Sequence, residues 1–137
     1  TILFEPESAF PGELLWLKGH ALFHLELYEP AVDEFVDSYY EVEALVMQPK
    51  ELSFYQPLLF EFGVALYLSG NPGGALVPLE QYVDGDDDMR PYGLAVYIMS
   101  LADSGQASRA RTEKRSALSA YRNTEYASMF EAIEIES

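Results

Sequence analysis

The segment Gly19-His-Ala-Leu-Phe-His-Leu-Glu-Leu-Tyr-Glu-Pro-Ala31 aligns without gaps on the segment Gly63-Val-Ala-Leu-Tyr-Leu-Ser-Gly-Asn-Pro-Gly-Gly-Ala75. Both begin with Gly, continue through Ala, Leu and an aromatic residue, and end with Ala twelve positions after the Gly. Four positions later each copy has a large apolar residue, Phe35 in the first and Leu79 in the second. This internal repeat predicts a stack of similar supersecondary units that bury a shared core.

A third and weaker copy follows the second. Three of its residues lie 35 positions after Leu66, Gly70 and Ala75, namely Leu101, Gly105 and Ala110. Ile98 replaces the Gly that begins the other two copies, and Lys114 replaces the large apolar residue that ends them. A terminal repeat often departs from its pattern because its outer face meets water.

The order of residue sizes in each copy predicts two closely packed antiparallel helices. We expect a small side chain on one helix to face a small side chain on the other, with large residues filling the space around them. The positions alternate large, small, large, small and large. In the first copy they are Leu15, Gly19, Leu22, Ala31 and Phe35, and in the second copy Leu59, Gly63, Leu66, Ala75 and Leu79. In the third copy they are Leu94, Ile98, Leu101, Ala110 and Lys114.

Over roughly residues 12–122 this pattern resembles the tetratricopeptide repeat. The resemblance implies an all-α fold, an α-solenoid of about three antiparallel helical hairpins with a C-terminal capping helix. We expect one domain over 1–137, with a lead-in at 1–11, repeats at 12–47, 56–89 and 90–122, a connector at 48–55 and the capping helix within 123–137. The first two copies lie 44 residues apart, against about 34 in the family. The excess predicts a longer helix and a connector between Glu41 and Tyr55.

Helices are expected near 13–27, 30–47, 56–69, 73–84, 90–104, 107–121 and 124–133. Proline and glycine mark several of the boundaries. Pro30 fits the first position of the second helix, Pro49 and Pro57 flank the connector, and Gly70 fits a helix C-cap. Pro78 falls inside the fourth helix, where it should bend the helix or remove a hydrogen bond.

In the tetratricopeptide family the first helix of each hairpin lines a binding groove. The resemblance therefore implies a protein-interaction module, adaptor or chaperone-like, without catalytic activity or cofactor. The groove positions correspond here to Glu13, Trp16, His20, Phe23, His24, Phe60, Val64, Tyr67, Tyr92 and Met99, with Leu68, Ala95 and Asp103 beside them. Such a groove is aromatic and mildly acidic, so we expect it to bind an apolar or basic peptide segment.

The net charge of −15 is uneven along the chain. Residues 1–89 contain two basic and 17 acidic side chains, whereas residues 90–137 contain six of each sign. The acidic part repels a phosphate backbone, which argues against nucleic acid and for a basic protein segment. A basic cluster on the sixth helix suggests a second interface, or self-assembly against the acidic first repeat of another copy. Its members are Arg109, Arg111, Lys114, Arg115 and Arg122.

A metal-binding or catalytic role is the third alternative. His20 and His24 lie four apart and share one helix face, a spacing that can hold zinc if a third ligand such as Glu13 approaches. The zinc-protease motif is missing because Ala21 follows the first histidine. Two histidines in this position more often pack or donate hydrogen bonds, and we predict no metal site.

The sequence leaves the compartment open. Cysteine is absent, and no apolar run reaches the roughly 18 to 20 residues of a membrane-spanning helix. Glu5, Pro6 and Glu7 interrupt the position where a secretory signal needs an apolar stretch. We expect a soluble chain that has been trimmed before Thr1, with the cytoplasm slightly favoured and a periplasmic or secreted location still open.

Overall fold

The computed structural model describes residues 10–136, and every regular element in this range is helical. The predicted all-α fold is confirmed. Helices α1 and α2, α3 and α4, and α5 and α6 form three stacked hairpins, and a short seventh helix packs on the last of them. The helices are α1 Glu13–His24, α2 Tyr28–Leu45, α3 Tyr55–Leu68, α4 Pro72–Val83, α5 Arg90–Asp103, α6 Ala107–Ala120 and α7 Ala127–Glu131.

Each of the first two hairpins closes around a glycine. A Cβ atom on Gly19 would lie 2.6 Å from carbons of the Phe35 ring, and a Cβ atom on Gly63 would lie 2.5 Å from Leu79 Cδ2. Carbon atoms do not approach this closely, so any side chain at these positions would push the helices apart. We expected a small residue of the second helix to face each glycine; the atoms nearest to a Cβ on these glycines belong instead to the large residue of the second helix, Phe35 or Leu79.

The third hairpin solves the same packing problem differently. Ile98 stands where the other hairpins have glycine, and both Ile98 and Ala110 are fully buried. Lys114, at the position of Phe35 and Leu79, instead donates hydrogen bonds from Nζ to backbone carbonyl groups of the C-terminal segment. The first helix thus carries the bulky side chain in this hairpin.

A glycine contact that the repeat pattern did not predict joins the second hairpin to the third. A Cβ atom on Gly93 of α5 would lie 2.5 Å from Cδ2 of Tyr82 on α4. Tyr82 is fully buried, and its phenol donates a hydrogen bond to the Asp87 carboxylate. A glycine opposite a large side chain therefore permits close approach between neighbouring hairpins, as it does within a hairpin.

All three hairpins turn through one hydrogen-bond pattern. At the end of α3 the Asn71 N–H donates to the Leu66 carbonyl at 2.9 Å, with Gly70 between them at φ 94°. A left-handed residue in this place closes a helix by satisfying its last carbonyl groups. The predicted C-cap role of Gly70 is confirmed, and Gly105 repeats it at φ 91° after α5. Glu26 holds the equivalent position after α1 at φ 62°, where a side chain is strained.

The predicted long helix and connector after the first hairpin are also present. Helix α2 has 18 residues, and a 3₁₀ turn at Pro49–Glu51 leads towards α3. Pro57 lies in the first turn of α3 as expected. Pro30 is the third residue of α2 rather than the first, which still lies in the turn where a backbone N–H has no helical partner.

Helix α4 begins and continues around two prolines. Pro72 opens the helix, and the Asn71 side chain caps its first turn by accepting a hydrogen bond from the Gly74 N–H at 2.9 Å. Pro78 lies fully buried inside the same helix, which nevertheless runs on to Val83. Because proline has no N–H, the Gly74 carbonyl loses its normal helical donor.

Helix α7 is shorter than the expected 124–133. The Thr124 hydroxyl donates to the Tyr121 carbonyl at 2.6 Å and accepts from the Tyr126 N–H at 3.2 Å, so this stretch forms a turn and delays the helix. The helix nevertheless caps the last hairpin as predicted, because Phe130 and Ile133 are buried against that hairpin. No helix within residues 10–136 has the length and apolar character needed to cross a membrane.

Candidate functional site

The first helices of the three hairpins lie side by side, α1 against α3 and α3 against α5. These three helices form one common surface. We call this surface, together with the flank of α7, the inner face. The groove residues expected from the repeat pattern fall at its two ends and between them. Trp16, His20 and His24 lie at the α1–α3 end, while Tyr67, Tyr92 and Met99 lie at the α5–α7 end.

Several of the expected groove residues contribute to packing. Phe23 contacts Phe35 with ring centroids 6.4 Å apart, and Phe60 contacts Tyr82 at 5.3 Å. Val64 is half-buried. The Glu13 carboxylate accepts a hydrogen bond from the Phe10 N–H at 3.2 Å, just before α1. The remaining aromatic and histidine side chains form the two ends.

The α1–α3 end contains a polar cluster of His20, His24 and Glu61. His20 Nδ1 lies 2.8 Å from one Glu61 carboxylate oxygen and 3.0 Å from the other. The His20 and His24 rings meet edge to face with centroids 4.4 Å apart. One potential ligand atom from each of the three residues lies within 4.8 Å of the other two. The carboxylate beside the histidines is therefore Glu61 on α3 and not Glu13.

Glu61 is an acidic side chain held in an apolar helix. It is 7% exposed and is the one charged residue of α3. Burial raises the pKa of its carboxyl group, and the hydrogen bond from His20 opposes that rise. A buried carboxylate is costly unless a charged or hydrogen-bonding group compensates it. His20 supplies that compensation within the chain.

Trp16 forms the apolar wall of the polar cluster. Its ring stacks on Phe54 with centroids 5.6 Å apart and lies 5.0 Å from the His20 ring. The Trp16 indole nitrogen is buried without a hydrogen-bond partner within residues 10–136. It lies close enough to the Glu61 carboxylate to lower the pKa of that group slightly. Trp16 thus packs between α1 and α3 and also borders the cluster.

The α5–α7 end contains an apolar cavity of about 470 Å³. Tyr92 is 42% exposed at its edge, and the Tyr92 and Tyr126 rings meet at 5.6 Å. Two acidic side chains, Asp103 and Glu134, are the charged residues in the lining. The cavity is lined by Tyr67, Tyr92, Ala95, Val96, Met99, Ala102, Asp103, Met129, Ala132, Ile133 and Glu134.

Tyr67 connects α3 to α5 at the border of this cavity. Its phenol donates a hydrogen bond of 2.7 Å to the Asp103 carboxylate. Burial, the hydrogen bond to Asp103 and the negative charge of Asp103 together raise the pKa of Tyr67 to about 12, with burial the largest cause. The bond fixes one wall of the cavity and orients an acidic group at its edge.

The basic cluster on α6 is used partly within the chain. Arg109 lies 3.1 Å from the Glu80 carboxylate and donates to the Tyr97 hydroxyl at 2.7 Å. Lys114 donates to the Ile133 carbonyl at 2.7 Å and so holds the C-terminal segment. Arg111 and Arg115 are exposed on the same helix. These four residues do not form one uncommitted basic surface.

No protein-family model matches the chain, and no curated protein matches it. The tetratricopeptide resemblance therefore stays a prediction that rests on residue spacing and on the helical-hairpin fold.

Proposed function

We propose that this chain is a non-catalytic protein-interaction module of the tetratricopeptide kind, with an adaptor or chaperone-like role. It binds an extended segment of a partner protein on the inner face. The observation that carries the proposal is the open apolar cavity at the α5–α7 end. Its volume of about 470 Å³ falls within the range of binding pockets, roughly 300–1,000 Å³.

The lining of the cavity favours an apolar side chain next to a basic one. Tyr92, Met99 and Ile133 offer apolar surface, and each apolar side chain buried there would contribute about 1.5–3 kcal/mol. Asp103 and Glu134 then attract a neighbouring Lys or Arg of the same segment. The partner segment therefore contains an apolar residue with a Lys or Arg next to it.

Selection from a random peptide library on the purified chain tests this function. Enriched peptides should carry an apolar residue beside Lys or Arg, and their affinity can be measured by fluorescence polarisation. Tyr92→Ser should weaken binding about tenfold, the equivalent of roughly 1.4 kcal/mol. Tyr40→Ser removes a tyrosine that is 67% exposed on α2, outside the cavity, and should leave affinity unchanged.

Two results would count against the proposal. One is a selection without any enriched sequence. The other is an equal loss of affinity in the Tyr92 and Tyr40 variants, because binding would then not depend on the inner face. Circular dichroism of both variants shows whether the helical fold is retained, and both positions are exposed enough that retention is expected.

A further inference from the structure

The geometry points to a second site on this protein: His20, His24 and Glu61 bind a divalent transition-metal ion of the Zn²⁺ type at the α1–α3 end of the inner face. The site does not depend on peptide binding at the other end. The donor atoms come from two helices that the repeat packing holds side by side. Two imidazole nitrogens and one carboxylate oxygen are a known ligand set for Zn²⁺.

The distances suit a shared ion. Zn²⁺ bonds to nitrogen and oxygen are about 2.0–2.2 Å long in tetrahedral sites, which separates neighbouring ligand atoms by roughly 3.3 Å. His20 Nδ1 lies 2.8 Å from a Glu61 oxygen, and the potential donor atoms of all three residues lie within 4.8 Å of one another. Binding of Zn²⁺ requires the two imidazole rings to rotate until the three donors reach this spacing.

Helix geometry fixes the histidine pair. Residues four apart lie on the same helix face about one turn apart, so His20 and His24 point in one direction from α1. Their ring centroids are 4.4 Å apart. Glu61 reaches the same point from α3, where the Trp16 ring covers one side. The ligands are thus arranged before an ion arrives, which reduces the cost of ordering them.

Burial and exposure assign different tasks to the three ligands. Glu61 is 7% exposed, and a metal cation would compensate its buried negative charge as the His20 hydrogen bond now does. His24 is exposed, so the side of the site that it borders opens to water. Three protein ligands and one open position are typical of catalytic zinc sites, in which water or substrate takes the fourth position. Here a water molecule or a group of a binding partner would complete the tetrahedron.

Titration calorimetry with Zn²⁺ alone tests this site. The wild-type chain should bind one ion per chain, and His24→Ala and Glu61→Gln should each weaken binding at least tenfold, since even loss of an outer-shell group costs 10 to 100-fold. The matched control is Asp86→Asn in the exposed acidic turn 84–88. This turn can attract cations by charge alone, so the control should bind Zn²⁺ like the wild type.

A second readout locates the ion. Trp16 is the only tryptophan, and its ring lies 5.0 Å from His20, so a bound Co²⁺ should quench its fluorescence. Quenching should survive in Asp86→Asn and disappear in His24→Ala, an exposed change that should leave the fold intact even if Glu61→Gln does not. Equal Zn²⁺ binding in all variants, or quenching that His24→Ala does not reduce, would overturn the assignment.

Discussion

The two ends of the inner face are built from the same repeat but differ in packing and in chemistry. At the α1–α3 end, Gly19 and Gly63 admit large side chains from the second helices, and a buried carboxylate meets two histidines. At the α5–α7 end, Ile98 fills the glycine position, and the surface forms an apolar cavity. The comparison teaches that the repeat fixes backbone geometry and leaves the chemistry of each end to a few side chains.

The difference in packing predicts opposite responses to a change of size at one repeat position. Ile98→Ala removes a fully buried side chain and should lower the free energy of unfolding by about 2–5 kcal/mol. Urea denaturation measures the loss. Val77→Ala, at a position 58% exposed on α4, should change stability by less than about 0.5 kcal/mol. An equally small effect of Ile98→Ala would show that the third hairpin does not depend on this residue.

The aligned glycine should resist enlargement. Gly63→Ala places a methyl group 2.5 Å from Leu79 Cδ2 and should destabilise the chain by about 1–2 kcal/mol. An overpacking cost of about 1–3 kcal/mol is offset by a gain of up to about 1 kcal/mol in helix propensity, so the net loss lies between about 0 and 3 kcal/mol, with about 1–2 kcal/mol as its centre. Gly73→Ala is the matched control, because no atom lies within 4 Å of a Cβ at that position. Equal melting temperatures for the two variants would contradict the account of hairpin closure.

The first hairpin also carries strain at its turn that the other two avoid. Glu26 has φ 62° where Gly70 and Gly105 stand in the other hairpins. Glu26→Gly should raise the free energy of unfolding by up to about 1 kcal/mol, because the left-handed conformation costs other residues about 1–2 kcal/mol and the greater flexibility of glycine offsets part of the gain. Glu26→Ala keeps the Cβ atom and should give no such gain. If Glu26→Ala also raised the free energy of unfolding, the left-handed φ of Glu26 would not be the source of the strain.

The sequence predicted the helices and hairpins well because spacing and caps are local properties. Helix bounds differed from expectation by at most three residues, and α7 lost residues at both ends, with Thr124 forming a turn through its hydroxyl group before the helix begins. The partner of His20 was missed, because Glu61 lies 41 residues away. A signal for it was present: Glu61, the one charged residue in the mostly apolar segment 55–68, needs a compensating group.

The same limit applies to the apolar cavity. Tyr92 and Met99 could be placed on the groove face by repeat position, but Met129 and Ile133 complete the cavity from the C-terminal segment. Lys114 holds that segment through backbone carbonyl groups, a contact that residue spacing does not encode. Tertiary contacts between segments that are distant in the sequence therefore complete the cavity, and the local pattern does not predict them.

The smallest expected effect concerns the bond between α3 and α5. The pKa of Tyr67 is raised to about 12 in the fold, against about 10 in an unfolded chain. Its contribution to stability is therefore present below pH 10 and is lost as the pH rises towards 12. Tyr67→Phe should make the fall in the urea midpoint between pH 10 and 12 shallower. Identical slopes in both proteins would show that burial of the Tyr67 phenol and its hydrogen bond to Asp103 do not raise the pKa of Tyr67 in the fold.

Binding at the α5–α7 end can be observed most directly through the four methionine methyl groups of the chain. Met99 and Met129 line the cavity, whereas Met47 is 97% exposed in the connector after α2. In methyl NMR spectra of the ¹³C-methionine-labelled chain, a peptide enriched by library selection should shift the Met99 and Met129 signals and leave Met47 in place. A peptide that binds while the Met99 and Met129 signals stay unchanged would contradict the account.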